Sequence, residues 1–374
     1  MKKYIIYLSI LVVILIIICL YFGISALSGG GVLDKNVTIY VADQGDNTIS
    51  VINGSTSQLV ATIRLVGGVP GGMLLSPNGQ YLYVGSNSGL YVINTTTERV
   101  VKTIINSSIG SILASDQDGR YIYTGNPNVS IAPSGGFQGK STIAVINTSN
   151  LNVIRTVPLN APNLNGTLLY LYIGEEALTN DGSKLYVAGT YGYEHYESYL
   201  GEVISSVGFL WILNSTTGSI IRSLNISNPT TVESGTVELA RSSTGDYIYA
   251  VTTWQIFNIS TQNGEIVSVK NFMHTFPYVS SLALSPDYQT MYVSNFYAGQ
   301  GHYATSFTIT NLSSGSSESI NLSALNGMAV TPDGKLLYAT ENPNKLIIIS
   351  ATNHNVLKSI EVGSEPTDIV VYQR

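Results

Sequence analysis

The sequence predicts an all-β fold: a seven-bladed β-propeller, closed by pairing of its N- and C-terminal strands in one blade and preceded by one transmembrane helix. Three observations predict it. A strand rich in tyrosine and valine recurs seven times. The first copy lacks the strand that precedes every other copy, and the chain ends on a lone strand of that missing kind. An apolar run behind two lysines opens the chain.

The opening run comes first. Lys2 and Lys3 precede an almost unbroken apolar stretch over residues 4–27. Its length is that of a bilayer span, about 20 residues, rather than a signal-peptide core of about 7–15. Lysines before the run favour an N-inside orientation. Residues 1–27 are therefore expected to be an N-terminal anchor or uncleaved signal, 28–36 a linker, and 37–374 the propeller. The location expected is the cell membrane, single-pass, with the propeller on the outer side. A long cleaved signal ending near Ala26-Leu27-Ser28 is the alternative.

The repeat follows. Ser76-Pro77-Asn78-Gly79 and Thr331-Pro332-Asp333-Gly334 mark the same turn between two strands. The strand leaving it is Tyr81-Leu82-Tyr83-Val84 in one copy and Leu337-Tyr338-Ala339-Thr340 in another. Further copies centre on Tyr40, Tyr123, Tyr186, Tyr249 and Tyr292. Alternating β-branched and aromatic residues at period 2 mean strands. A four-stranded unit cannot bury both faces alone, so seven units close into a ring. Residues 368–373 supply the strand that the first unit lacks, and joining the two leaves no open edge.

These units resemble the YVTN-type β-propeller repeat of surface-layer and cell-surface proteins. Residues 325–363 match it best, through Met328-Ala329-Val330-Thr331-Pro332-Asp333-Gly334-Lys335-Leu336-Leu337-Tyr338. The resemblance implies the seven-bladed fold and leaves function open, because related propellers include lactonases and lyases. The turn degenerates to Asp116-Gln117-Asp118-Gly119 in one unit and Ser243-Thr244-Gly245 in another. No Gly-His…Trp-Asp repeat pattern is present.

In such a ring the first-to-second and third-to-fourth turns share one face, here the turn face. The second-to-third connections and the blade links share the other, the loop face. Every connection on the turn face is short. The long insertions, 127–141, 191–207 and 296–304, read as second-to-third loops, and 160–174 and 227–236 as blade links. Long loops on a rigid scaffold are where binding resides.

Composition narrows the function. Charged residues are 11% of the chain and net charge is −6, so no basic stripe exists for nucleic acid. The single cysteine, Cys19, excludes disulfides within the chain and CxxC sites. No cofactor motif stands out: no phosphate loop and no G-x-S-x-G elbow. Few carboxylates also predict a weak dependence of folding on acid.

Asn-x-Ser/Thr occurs twelve times, at Asn36, Asn53, Asn94, Asn106, Asn128, Asn147, Asn165, Asn214, Asn225, Asn258, Asn311 and Asn321. Of these, Asn53, Asn94, Asn147, Asn214, Asn258 and Asn311 are expected to end the third strands of successive blades. Asparagine there can be a turn cap, bonding the backbone two residues on, or a glycan acceptor.

The chemistry-bearing candidates gather on the loop face. Tyr191, Tyr193, His195, Tyr196 and Tyr199 fill one insertion; His302 lies in another and His274 in a blade link. Tyrosine gives large contact area with few rotors and a polar tip, which suits binding. Glu175 and Glu176, near the channel mouth, and His195 are the candidates for acid–base catalysis. No metal-ligand spacing is present.

The function expected is an extracytoplasmic, membrane-anchored propeller glycoprotein, a surface recognition or structural binding module. Its partners would be an envelope or surface-layer protein or a glycan, with the membrane held through the N-terminal helix. The alternative is a lactonase- or lyase-like enzyme on the same fold, and a third reading is an accessory subunit of a redox complex.

Overall fold

The computed structural model of the chain describes residues 37–373, apart from 117, 127–128, 132–136, 140, 160–166, 198–200, 227–237, 243, 253–254, 272–277, 300–301, 313, 321 and 323–324. Every element it describes is a strand, and the strands form seven four-stranded antiparallel sheets with one small added hairpin. Blade 1 joins both ends of the chain: its inner strand is Pro366–Gln373, and Val37–Asp43, Thr48–Asn53 and Gln58–Arg64 follow outward. Pairing of Val37 with Gln373 through Asp43 with Pro366 closes the ring.

The turn between first and second strands shows why the sequence folds this way locally. In blade 7, Thr331 Oγ1 donates to Asp333 Oδ1 at 2.6 Å and accepts from the Leu336 N–H at 3.1 Å. Gly334 then takes a φ of 72°, which only glycine adopts without cost. The degenerate turn of blade 3 keeps this geometry, because the Asp116 carboxylate accepts from the Tyr121 N–H at 2.7 Å where a hydroxyl serves elsewhere.

Burial is organised by seams between blades. Six of the seven motif tyrosines of the second strands, Tyr40, Tyr83, Tyr123, Tyr186, Tyr292 and Tyr338, are buried; Tyr249 of blade 5 is half-buried. Between blades 3 and 4 lie Tyr123, Val145, Val187, Phe209 and Trp211. Between blade 7 and blade 1 lie Tyr338, Ile348, Ile39 and Ile369, so the closing strand is packed like any other inner strand.

Four expectations are corrected. First, the transmembrane helix has no counterpart: among the described residues no helix is long and apolar enough to cross a membrane. The run that prompted it, residues 1–27, lies outside the described residues, as does the linker 28–36. The helix is struck from the architecture, and the membrane-anchored function, the membrane as a partner and the single-pass cell-membrane location fall with it.

Second, within 191–207 and 296–304, residues 191–197, 201–207, 296–299 and 302–304 are strand, not loop. In blade 4 the second strand runs Lys184–Glu197 and the third Gly201–Asn214, paired without a break from Lys184↔Asn214 to Glu197↔Gly201. In blade 6 the corresponding strands are Thr290–Gly299 and His302–Asn311. Their tyrosines and valines are strong strand formers with partners already in register, so continued pairing satisfies the backbone better than a loop.

Third, two other expected connections are partly strand: within 127–141, Val129–Ile131 and Phe137–Gly139 form a short hairpin, and residues 167–174 of the expected blade link 160–174 belong to the inner strand of blade 4, Thr167–Leu178. Fourth, Asn258 does not end its strand. It pairs within the ladder to Tyr249 and Ser268, and the turn closes two residues later through Gly264 N–H to the Ser260 carbonyl at 2.8 Å.

Candidate binding face

The loop face carries the projections. In blade 4 the second and third strands are each 14 residues long, against 6 in blade 2. Eight further residues at about 3.3 Å each carry this hairpin roughly 26 Å past the blade body. The inner strand, Thr167–Leu178, runs alongside as a third member, with Thr167 opposite Glu194 and Leu171 opposite Tyr191. A three-stranded tongue results, built on the scaffold's own hydrogen-bond ladder. The small hairpin of blade 3 lies beside it.

The candidate residues fall on this tongue or near it. Tyr191, Tyr193, His195 and Tyr196 pair with Val207, Ser205, Val203 and Glu202 in turn. His302 opens the third strand of blade 6, opposite Gly299 at the hairpin tip. Glu175 and Glu176 lie on the inner strand of blade 4, where the pairing slips between Ile173 and Glu176. Tyr199 and His274 lie outside the described residues, as do Asn36, Asn128, Asn165 and Asn321. The structure thus brings Tyr191, Tyr193, His195 and Tyr196 onto one element. It leaves His302 two blades away.

Two carboxylates near the closing seam escaped sequence reasoning. Asp43 ends the second strand of blade 1 with no exposure to solvent. Its Oδ2 accepts from Ser50 Oγ at 2.8 Å and Thr48 Oγ1 at 3.1 Å, while Oδ1 has no hydrogen-bond partner. Burial pushes this carboxyl up to about 6, against those two hydrogen bonds. Asp368, on the inner strand, is likewise pushed up to about 6 by the surrounding strands, although the residue keeps some surface. The local signal for Asp43 was an acid directly after an apolar strand, shared only with Glu341 among the seven copies; nothing local marked Asp368.

The turn face is built differently. Lysines and arginines of the outer strands reach the next blade's third-to-fourth turn. Arg222 Nη1 donates to the Gly264 carbonyl at 3.4 Å, Lys270 Nζ to Leu312 at 3.0 Å and Lys358 Nζ to Ser57 at 3.0 Å. In blade 6 the sign reverses, and Glu318 pairs with His354 of blade 7. Cations at these carbonyl-rich turns favour the arrangement electrostatically. A groove of about 370 Å³ opens between blades 3 and 4, lined by Arg120, Arg155, Asp118, Asp181, Ser183 and Thr216 among others. Arg120 is spent within its own blade on Asp116 at 3.2 Å and Asp118 at 3.1 Å. Among the described residues no group of three or more His, Cys, Asp or Glu is placed to hold a metal ion.

No protein-family model matches the chain, and no curated protein matches it. Among solved structures, it is similar to the β-propeller domain of Cps50 (Swd1) from Myceliophteria thermophila. The two are 14% identical with a TM-score of 0.52, over 79% of this chain and 88% of that one. The likeness is one of fold. It supports the seven-bladed propeller that the strand order shows directly.

Proposed function

We propose that this propeller is a binding module that holds a macromolecular partner, a protein or a glycan, on its loop face. The observation that carries the reading is the tongue of blade 4. A scaffold whose other blades end their second strands after five to seven residues, blade 6 excepted, lengthens three strands together here. Rigid, ladder-paired strands present side chains to a partner at lower ordering cost than a loose loop does. Tyr191, Tyr193, His195 and Tyr196 are the residues assigned to the contact, with His302 on the second extended hairpin.

The resemblance of residues 325–363 to the YVTN-type repeat of surface-layer and cell-surface proteins is compatible with this reading. The role inferred is recognition rather than catalysis. Replacing residues 192–206 by a two-residue turn tests it. The shortened protein is expected to unfold as one cooperative unit like the parent and to lose partner capture from native extracts. Unchanged capture by a folded, shortened protein would sink the reading.

A further inference from the structure

The third-to-fourth turn of each blade is closed by one residue, and the choice of residue at that position is uneven. In blades 1, 2, 3, 4 and 6 it is Asn53, Asn94, Asn147, Asn214 and Asn311; in blades 5 and 7 it is Ser260 and Ser350. In the five asparagine turns, Oδ1 accepts from the backbone two or three residues on: from Thr56 N–H at 3.0 Å, Thr97 at 2.9 Å, Ser149 at 2.9 Å, Thr217 at 2.7 Å and Ser314 at 2.8 Å. That is a capping role, and aspartate fills it as well as asparagine.

Aspartate is nonetheless absent from all seven of these positions. At the neighbouring turn on the same face, the residue of the same kind is aspartate in four blades: Asp118, Asp181, Asp287 and Asp333. What asparagine has and aspartate lacks is Nδ2. Each of the five caps also carries Ser or Thr two residues on: Ser55, Thr96, Ser149, Thr216 and Ser313. The cap does not demand that hydroxyl. At Asn94 and Asn311 the hydroxyl bonded to Oδ1 comes from three residues on, Thr97 and Ser314. Oδ1 and Nδ2 sit on opposite arms of a planar carboxamide, so turning Oδ1 into the turn directs Nδ2 away from it.

We infer that Asn53, Asn94, Asn147, Asn214 and Asn311 carry N-linked saccharides, forming an interrupted ring on the turn face. This goes beyond the loop-face reading and does not rest on it. In the attachment, Nδ2 bonds to the anomeric carbon of a glycosyl phosphate-type donor. The bond from that carbon to the phosphate oxygen breaks, the phosphate leaves with the electron pair, and Nδ2 gives up one proton. No electrons are exchanged with an oxidant. Asn258 has the same three-residue pattern but is not a cap: the five caps are the last residues of their strands, whereas Asn258 lies two residues before Ser260, which closes its turn. It is expected to stay bare.

Peptide mapping by mass spectrometry of the protein purified from its native source decides this. Saccharide increments on the five cap peptides, with an unmodified Asn258 peptide, are the expected result. Five bare cap peptides would overturn the inference, and so would an Asn258 occupied like the caps. An Asn94→Asp variant made in the same source supplies the second reading. It keeps the capping acceptor, so it is expected to fold, and to lose one saccharide increment from the intact mass. An intact mass that falls by none would overturn the assignment at that site.

Discussion

The carboxylate of Asp368, five residues before the end of the last strand, accepts a hydrogen bond from the backbone N–H of Met73 at 2.6 Å. The two residues lie 295 positions apart in sequence and belong to adjacent blades. A strand contributed by the C-terminus is thereby tied both to the N-terminal strand beside it and to the blade that follows.

Removing that acceptor leaves the Met73 N–H at a slip in the inner strand of blade 2, without its partner. Asp368→Ala is expected to cost about 1–3 kcal/mol, the usual penalty for an orphaned donor. Asp368→Asn, which keeps an oxygen in place, is expected to cost less. Thermal unfolding of the two variants checks this; equal midpoints for Asp368→Ala and the parent would contradict it.

Stability should respond to pH with two opposed limbs. Asp43 and Asp368 have folded-state values of about 6, above the ordinary 3.8, so the fold binds their protons more readily than the unfolded chain does. Their contribution is full below about pH 4 and is lost as pH rises through 6. Asp181 runs the other way. The Thr179 hydroxyl and the Ser183 N–H hold it down at about 2, so its contribution is present above 3.8 and lost as pH falls toward 2. The melting temperature is expected to rise from pH 7 to pH 5 and to fall below pH 4. Asp43→Asn should flatten the first limb. Composition pointed to weak acid dependence because a count of carboxylates does not show that burial raises Asp43 and Asp368.

The closing seam tolerates no side chain at Gly327. A Cβ there would lie 1.7 Å from the Thr367 carbonyl oxygen, on the backbone of the closing strand. Gly327→Ala therefore has to part blade 7 from blade 1, at a cost of about 1–3 kcal/mol or more. Gly182→Ala is the comparison. It has open space and only its positive φ of 67° to strain, for about 1–2 kcal/mol. Denaturant unfolding that ranks Gly182→Ala as the more damaging would contradict the packing of the seam.

How much was legible follows from what each feature depends on. The Tyr-Val strands and Pro-Asp-Gly turns are local patterns, so Tyr83, Tyr186 and Tyr338 could be placed in the core and Gly334 in its turn from sequence alone. Closure was legible because residues 366–373 complete a unit that begins at Val37 without its first strand. The tongue was not, because its stability comes from pairing 184–197 with both 167–178 and 201–214, and Gly192 breaks the alternation within it. Asn258 was misplaced because Asn-x-Ser falls two residues before the cap, which Ser260 provides. Asp368–Met73 is a contact between blades, which no local pattern encodes.

In the proposed function the tongue, not the turn face, meets the partner. Site-specific photocrosslinking tests it most directly. One photoreactive residue replaces Tyr196 near the tip of the tongue; another replaces Asn353 in the turn of blade 7, on the opposite face. Illumination in native extracts is expected to trap one discrete partner from position 196 and none from position 353. A partner trapped from position 353, with none from position 196, would contradict the account and move recognition to the turn face.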